Sequence, residues 1–164
     1  MNTEENYLSI AVKQFAASKS LAEKAFVQVP DEKLFVQPIE ECNSIAMIVQ
    51  HMAGNMLSRW TDFLTSDGEK EWRIRDDEFE PITKTKQEMF LQWEKGWLCL
   101  FDALEGLSPS QLQETIYIRQ EPHTVLEAIN RQIAHYAYHI GQIIYLAKMF
   151  SGNWESLSIP KKKN

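Results

Sequence analysis

The chain of 164 residues contains only two cysteines, Cys42 and Cys99. Two thiols are too few for the disulfide framework that stabilises small secreted domains. No charged and then apolar leader precedes the first amphipathic segment, so nothing in the sequence indicates secretion. We therefore expect a protein of the reducing cytoplasm in which both cysteines are ordinary buried thiols.

Long apolar runs are also missing, and no stretch approaches the roughly 20 residues that a membrane-spanning helix needs. Basic residues are outnumbered, because 17 Lys and Arg stand against 23 Asp and Glu and give a formal net charge of −6. This charge repels a phosphate backbone, and the basic run at 161–163 is too short for a binding arm. We expect no contact with membranes or nucleic acids.

Apolar residues make up 44% and charged residues 24% of the chain, which is typical of ordinary globular proteins. A chain of this length can bury about two-thirds of its unfolded surface, so we expect one domain spanning residues 1–164. Apolar residues recur every three or four positions in four segments, which is the period of an amphipathic helix. The predicted helices cover residues 5–28, 45 to about 65, 86 to about 106, and 122 to about 152.

Capping signals precede three of these helices: Asn43 or Ser44, and the two capping boxes Thr85 with Glu88 and Thr124 with Glu127. Residues 34–36 and 115–119 are predicted as short extended pieces that form no sheet. The charged segment from Asp67 to Glu80 has Trp72 and Phe79 as its only large apolar anchors. A connection this long predicts a solvated lid or surface loop rather than a second metal site.

Four amphipathic helices without a convincing strand pair predict an all-α four-helix bundle. The connection between the second and third helices is long, which favours a crossover over simple hairpins. Trp60, Trp93 and Trp97 lie on the apolar faces of these helices, and we expect them to fill the core.

Three of the four histidines fall in the interior of two predicted helices. His135 and His139 are four residues apart, which places their β-carbons about 6 Å from each other on one helix face. His51 lies inside the second helix at a position that can face the same core. Such pairs also arise by chance, and a buried histidine is often simply hydrogen-bonded. The shared core position favours a metal site, whereas His123 is predicted to cap a helix or lie on the surface.

Three imidazole ligands would leave a coordination position open, as in catalytic rather than structural metal sites. Imidazole suits zinc, nickel, iron and copper, and we expect one divalent transition metal, with zinc first and nickel second. Asn55 and Gln142 are the candidate residues for orienting a ligand or contacting a substrate. Arg59 and Gln132 fit that role and the solvated edge of a helix equally well.

The stretches around these histidines carry a family resemblance. The run from Ile48 to Phe63, the segment His135-Tyr136-Ala137-Tyr138-His139-Ile140-Gly141-Gln142 and the ending at 156–160 resemble the DinB-like superfamily, in particular one bacterial branch. The resemblance implies a four-helix bundle in which His51, His135 and His139 bind one metal ion. It also implies a homodimer, and some relatives are transferases that use bacillithiol, mycothiol or glutathione.

The leading hypothesis is therefore a metal-dependent thiol S-transferase, in which Asn55 or Gln142 orients the thiol or the substrate. A metal-dependent hydrolase is the nearest alternative, although it needs a carboxylate base and no Glu adjoins either helical histidine in the sequence. The third hypothesis is a non-catalytic stress-response module that binds a metal or a small ligand without turnover.

Overall fold

Four α-helices dominate the structure, a computed structural model that describes residues 2–159. They are α1 (Thr3–Phe26), α2 (Ile45–Trp60), α3 (Lys86–Glu105) and α4 (Val125–Phe150). The predicted all-α bundle is confirmed. The basic run at 161–163 lies outside the described residues.

The predicted capping residues begin the helices. Ser44 accepts a hydrogen bond from the backbone N–H of Met47, and Thr85 and Thr124 each form the predicted capping box. These side chains satisfy backbone donors that have no partner within the helix. The predicted start of the last helix at Pro122 is wrong, because this residue belongs to a strand and the helix begins after Thr124.

The helices α2 and α3 run parallel, so the crossover segment between them (residues 61–85) must return along the bundle. Gly96 of α3 packs against Ala53 of α2, and farther along both helices Cys99 contacts Thr61. A β-carbon on Gly96 would lie 3.0 Å from Cα of Ala53, so the glycine permits this close approach. The parallel pair confirms the crossover connection.

The helix α1 runs antiparallel to α3 and parallel to α4. Phe26 contacts Phe90 while Phe15 contacts Trp97, and Tyr7 donates a hydrogen bond to Asn130. Aromatic side chains fill the space between these helices, and the predicted core tryptophans are all buried. The largest fully buried rings are those of Phe15, Phe26, Trp93, Trp97 and Tyr136.

Three local predictions are wrong for identifiable reasons. Residues 34–36 are not an extended piece, because positions 34 and 35 belong to the 3-10 helix Asp31–Phe35. The helix α2 ends at Trp60 rather than near 65. Just after this end, Asp62 adopts a left-handed conformation with φ of 48°. Trp72 is 58% exposed, so it is not the buried apolar anchor that was predicted.

A two-stranded hairpin precedes α4, so the prediction that no sheet forms is also wrong. The strand β1 (Thr115–Ile118) pairs antiparallel with β2 (Glu121–Thr124). The turn residues Arg119 and Gln120 have φ of 55° and 65°, which suits the twist of a tight hairpin. The carboxylate of Asp67 accepts hydrogen bonds from both turn N–H groups, at 2.9 and 2.7 Å. The crossover segment thus fixes the hairpin.

No helix among residues 2–159 has both the length and the apolar character needed to cross a membrane.

Candidate metal centre

The three predicted histidines meet between α2 and α4. His135 and His139 lie one turn apart on the inner face of α4, and His51 faces them from α2. The Nε2 atom of His135 lies 3.5 Å from Nε2 of His51 and 3.2 Å from Nε2 of His139. One ligand nitrogen from each ring lies within 4.8 Å of the other two, so the group could hold a metal ion.

The outward nitrogen of each ring contacts an oxygen acceptor. Nδ1 of His139 lies 2.8 Å from Oε1 of Gln142, and Nδ1 of His135 lies 3.3 Å from Oε1 of Gln132. Because an amide oxygen only accepts, these rings carry their proton on Nδ1 and turn a lone pair inward on Nε2. Inward lone pairs repel one another, and a shared cation removes that repulsion. This arrangement is typical of metal-ligating histidines.

Glu78 gives His51 the same support from the crossover segment. Its Oε2 lies 2.8 Å from Nδ1 of His51, and Arg73 donates to both carboxylate oxygens at 2.7 and 2.8 Å. Burial alone would raise the pKa of Glu78, but the bonds from Arg73 and His51 outweigh it and hold that pKa below its usual value. Glu78 therefore stays ionised and fixes the ring of His51.

Gly54 makes room for this carboxylate. A β-carbon at that position would lie 2.2 Å from Oε1 of Glu78. Although the segment from Asp67 to Glu80 was predicted to be a solvated lid or surface loop, Glu78 is buried within it. A glycine inside a strongly predicted helix was the sequence signal that another group approaches there.

Both α4 histidines are neutral at physiological pH, as metal ligation requires. Burial lowers the pKa of His135 to about 3, and repulsion from His139 and His51 adds to this effect. Burial also lowers the pKa of His139 to about 4, against a smaller opposing effect of its hydrogen bond with Gln142.

The neighbouring polar residues on α2 are buried rather than solvated. Asn55 accepts a hydrogen bond at Oδ1 from the hydroxyl of Tyr136, which leaves its Nδ2 group without a partner among the described residues. Burial raises the pKa of Tyr136, so the hydroxyl remains a donor. Arg59 is 4% exposed and Gln132 is 1% exposed, so neither is the solvated edge of its helix.

A family profile described as "Protein of unknown function (DUF1572)" matches residues 2–163. The chain belongs to this family. No curated protein matches it. The DUF1572 profile covers almost the whole chain and assigns no activity to it.

Two cavities flank the histidines of this DUF1572 protein. A polar cavity of about 370 Å³ is lined by His51, His135, Asn55 and Gln132 among others. A larger cavity of about 650 Å³ has a mostly apolar lining and reaches Gln142. Tyr138 lines both cavities, whereas His51 and His135 line only the polar one.

The remaining histidine and the cysteines lie outside the triad. His123 is partly buried on β2 and is not one of the three clustered histidines. Cys42 and Cys99 are only partly buried, in contrast to the prediction, and Cys99 Sγ lies 3.6 Å from Oγ1 of Thr61. Cys42 lines the apolar cavity.

Proposed function

We propose that this chain is a metal-dependent protein of the DinB-like superfamily that transfers a small thiol to an electrophilic substrate. The observation that carries the proposal is the convergence of three Nε2 atoms whose rings are each fixed through Nδ1. Such a set binds one divalent transition metal, with zinc expected first and nickel second.

Different residues of the chain would have different roles around that ion. His51, His135 and His139 hold it, and a bound ion would lower the pKa of a thiol and favour its thiolate. Gln142 fixes the ring of His139. Asn55 offers an amide N–H group towards the polar cavity, where it can orient the thiol or the substrate.

The two cavities support a reaction between two molecules. The polar space suits a hydrophilic thiol, whereas Ile39, Ile48 and Met149 give the other space an apolar lining that suits a hydrophobic electrophile. Tyr138 lines both spaces, and Gln142, which contacts His139, lines the apolar one, so the electrophile would enter from the side of Gln142. A protein that only stored a metal would not need both spaces.

A hydrolase is less well supported, because the nearest carboxylate is already engaged. Both oxygens of Glu78 accept hydrogen bonds from Arg73, and one also contacts His51. No Asp or Glu side chain lines the polar cavity in the described part of the chain. A general base for water is therefore missing where it would be needed.

Elemental analysis of untagged protein tests the metal centre. We expect about one zinc or nickel ion per chain for the wild type and none for His135→Ala plus His139→Ala. The matched control is His123→Ala, which removes a histidine outside the triad and should retain the metal. Absence of metal after reconstitution with both ions would refute the site.

Turnover tests the transferase. The metal-loaded protein should couple bacillithiol, mycothiol or glutathione to an aromatic halide, and His139→Ala should abolish the reaction. If no thiol reacts under either metal and His139→Ala only lowers the melting temperature, the protein is the non-catalytic binding module instead.

A homodimer is a further part of the proposal. This part rests on the resemblance to the DinB-like superfamily, among whose members homodimers are common. Sedimentation analysis should give twice the chain mass of 19.1 kDa. A single-chain mass at micromolar concentration would contradict this part alone.

A further inference from the structure

The arginines of this acidic chain are gathered in one place. The chain carries a net charge of −6, yet all five of its arginines line the polar cavity beside the histidines. They come from α2, from the crossover segment, from the hairpin turn and from α4: Arg59, Arg73, Arg75, Arg119 and Arg131. Such a concentration of positive charge attracts an anion.

The carboxylates nearby neutralise only part of this charge. Arg73 forms ion pairs with Glu69 and Glu78, and Arg119 forms one with Glu69 at 3.2 Å. Within the described part of the chain, the other three arginines have no ion-pair partner within 4.0 Å. The cavity therefore keeps an excess of positive charge.

Arg59 is the decisive side chain, because it is 4% exposed and poorly satisfied. Its Nε and Nη1 atoms are buried and have no hydrogen-bond partner among residues 2–159. A β-carbon on Gly68 would lie 2.7 Å from Nη1, so the chain leaves room for this guanidinium. Burying an unpaired charge is costly. The Nη2 atom is not among the buried atoms of this side chain, and an anion bound there would offset part of that cost.

The positions of Arg59 and Arg131 along their helices place both near the histidines. His51, Asn55 and Arg59 follow one another at intervals of four on α2, which places Arg59 about 12 Å from His51 along the helix axis. On α4, which runs antiparallel to α2, Arg131 precedes His135 by four residues. Both helices thus carry their arginine at the same end of the cavity.

We propose that the polar cavity binds the anionic group, a carboxylate or a phosphate, of the small molecule that reacts at the histidines, with Arg59 as its main contact. The Nη2 group of Arg59 can donate a charge-assisted hydrogen bond to either group. The proposal rests on the proposed function for its link to the metal, and it adds the chemical class of the reacting molecule.

Calorimetric titration of the untagged full-length protein at low ionic strength tests this proposal without turnover. The probes are succinate, inorganic phosphate and the neutral succinamide, each added to the metal-free and to the zinc-loaded protein. We expect saturable binding of at least one anion to both forms and none of succinamide. The preferred anion identifies a carboxylate or a phosphate as the recognised group.

Arg59→Gln should weaken anion binding about tenfold to a hundredfold, because a charge-assisted hydrogen bond is lost from a buried site. Lys95→Gln is the matched control, since it removes one positive charge from an exposed position on α3 and should leave binding unchanged. If Arg59→Gln does not fold, the exposed Arg131→Gln replaces it, and we expect binding to weaken up to about fivefold.

Binding of neither anion, or equal losses in Lys95→Gln and the arginine variant, would overturn the inference. Anion binding without thiol turnover would refute only the transferase. Thiol turnover whose KM is the same in Arg59→Gln would refute only the anion site.

Discussion

The side of the bundle where α1 meets α3 differs sharply from the side where α2 meets α4. The first is packed with aromatic rings, whose centroids lie 5.3 Å apart for Phe26 and Trp93 and 6.4 Å apart for Phe15 and Trp97. The second buries histidine, asparagine, glutamine and arginine side chains. Apolar packing stabilises a fold, whereas buried polar groups reduce stability unless they are paired. The first side therefore adds apolar packing to the stability of the bundle, while the second carries the polar site.

The largest effect on stability should come from the aromatic side. Trp97→Ala removes a fully buried ring and should lower the free energy of unfolding by about 3–5 kcal/mol. Urea denaturation measures this loss, and the folded fraction should still bind one metal ion per chain. The adjacent exposed Leu98→Ala is the control and should change stability by less than about 0.5 kcal/mol. Loss of metal from folded Trp97→Ala would show that metal binding also depends on the aromatic side of the bundle.

The polar side should respond in metal affinity instead. Glu78→Gln removes the charge that fixes the ring of His51, and we expect metal binding to weaken about tenfold to a hundredfold. Competition with a chelator measures the change. Glu71→Gln alters an exposed carboxylate of the same segment and should match the wild type. An equal affinity in both variants would mean that Glu78 does not support the ligand.

Substitution of the helical glycines Gly54 and Gly141 should give smaller effects that differ between the two positions. Alanine at an open helix position should raise stability by about 1 kcal/mol, and Gly141→Ala should do so because nothing lies within 4 Å of its new β-carbon. Gly54→Ala should lose this gain and weaken metal binding, because it displaces Glu78. Thermal melts with and without zinc measure both effects. A stabilised Gly54→Ala with unchanged metal affinity would contradict the close contact.

Gln142 should give the smallest effect, because its side chain is exposed. Gln142→Ala removes the acceptor for Nδ1 of His139 and should weaken metal binding only severalfold. Loss of a buried supporting group would weaken it at least about tenfold. Gln142→Glu keeps an acceptor there and should bind metal at least as tightly as the wild type. Weaker binding in both variants would argue against an orienting role.

Features set by neighbouring residues could be predicted from the sequence. The capping boxes depend on side chains three residues apart, so Thr85 and Thr124 marked the true helix starts. The spacing of His135 and His139 depends only on helix geometry. Placing His51 opposite them required one further assumption, that the apolar faces of two helices meet in a shared core.

Features that depend on distant parts of the chain could not be predicted. Glu78 lies 27 residues from His51, and only the folded crossover segment joins them. The hairpin turn has no glycine or asparagine to favour its left-handed residues, and its support from Asp67 comes from 52 residues away. The burial of Arg59 likewise depends on the segment that covers α2. The position of Arg59 in the helical pattern alone favours neither a buried nor an exposed side chain.

The parallel course of α2 and α3 has a thermodynamic consequence. It forces the crossover segment across the site, where Glu78 contacts a histidine on one side and Arg73 on the other. Ordering of that segment and occupancy of the histidines are therefore coupled, and the coupling is reciprocal. Whatever holds the segment in place would tighten metal binding, and a bound ion would in turn protect the segment from local unfolding.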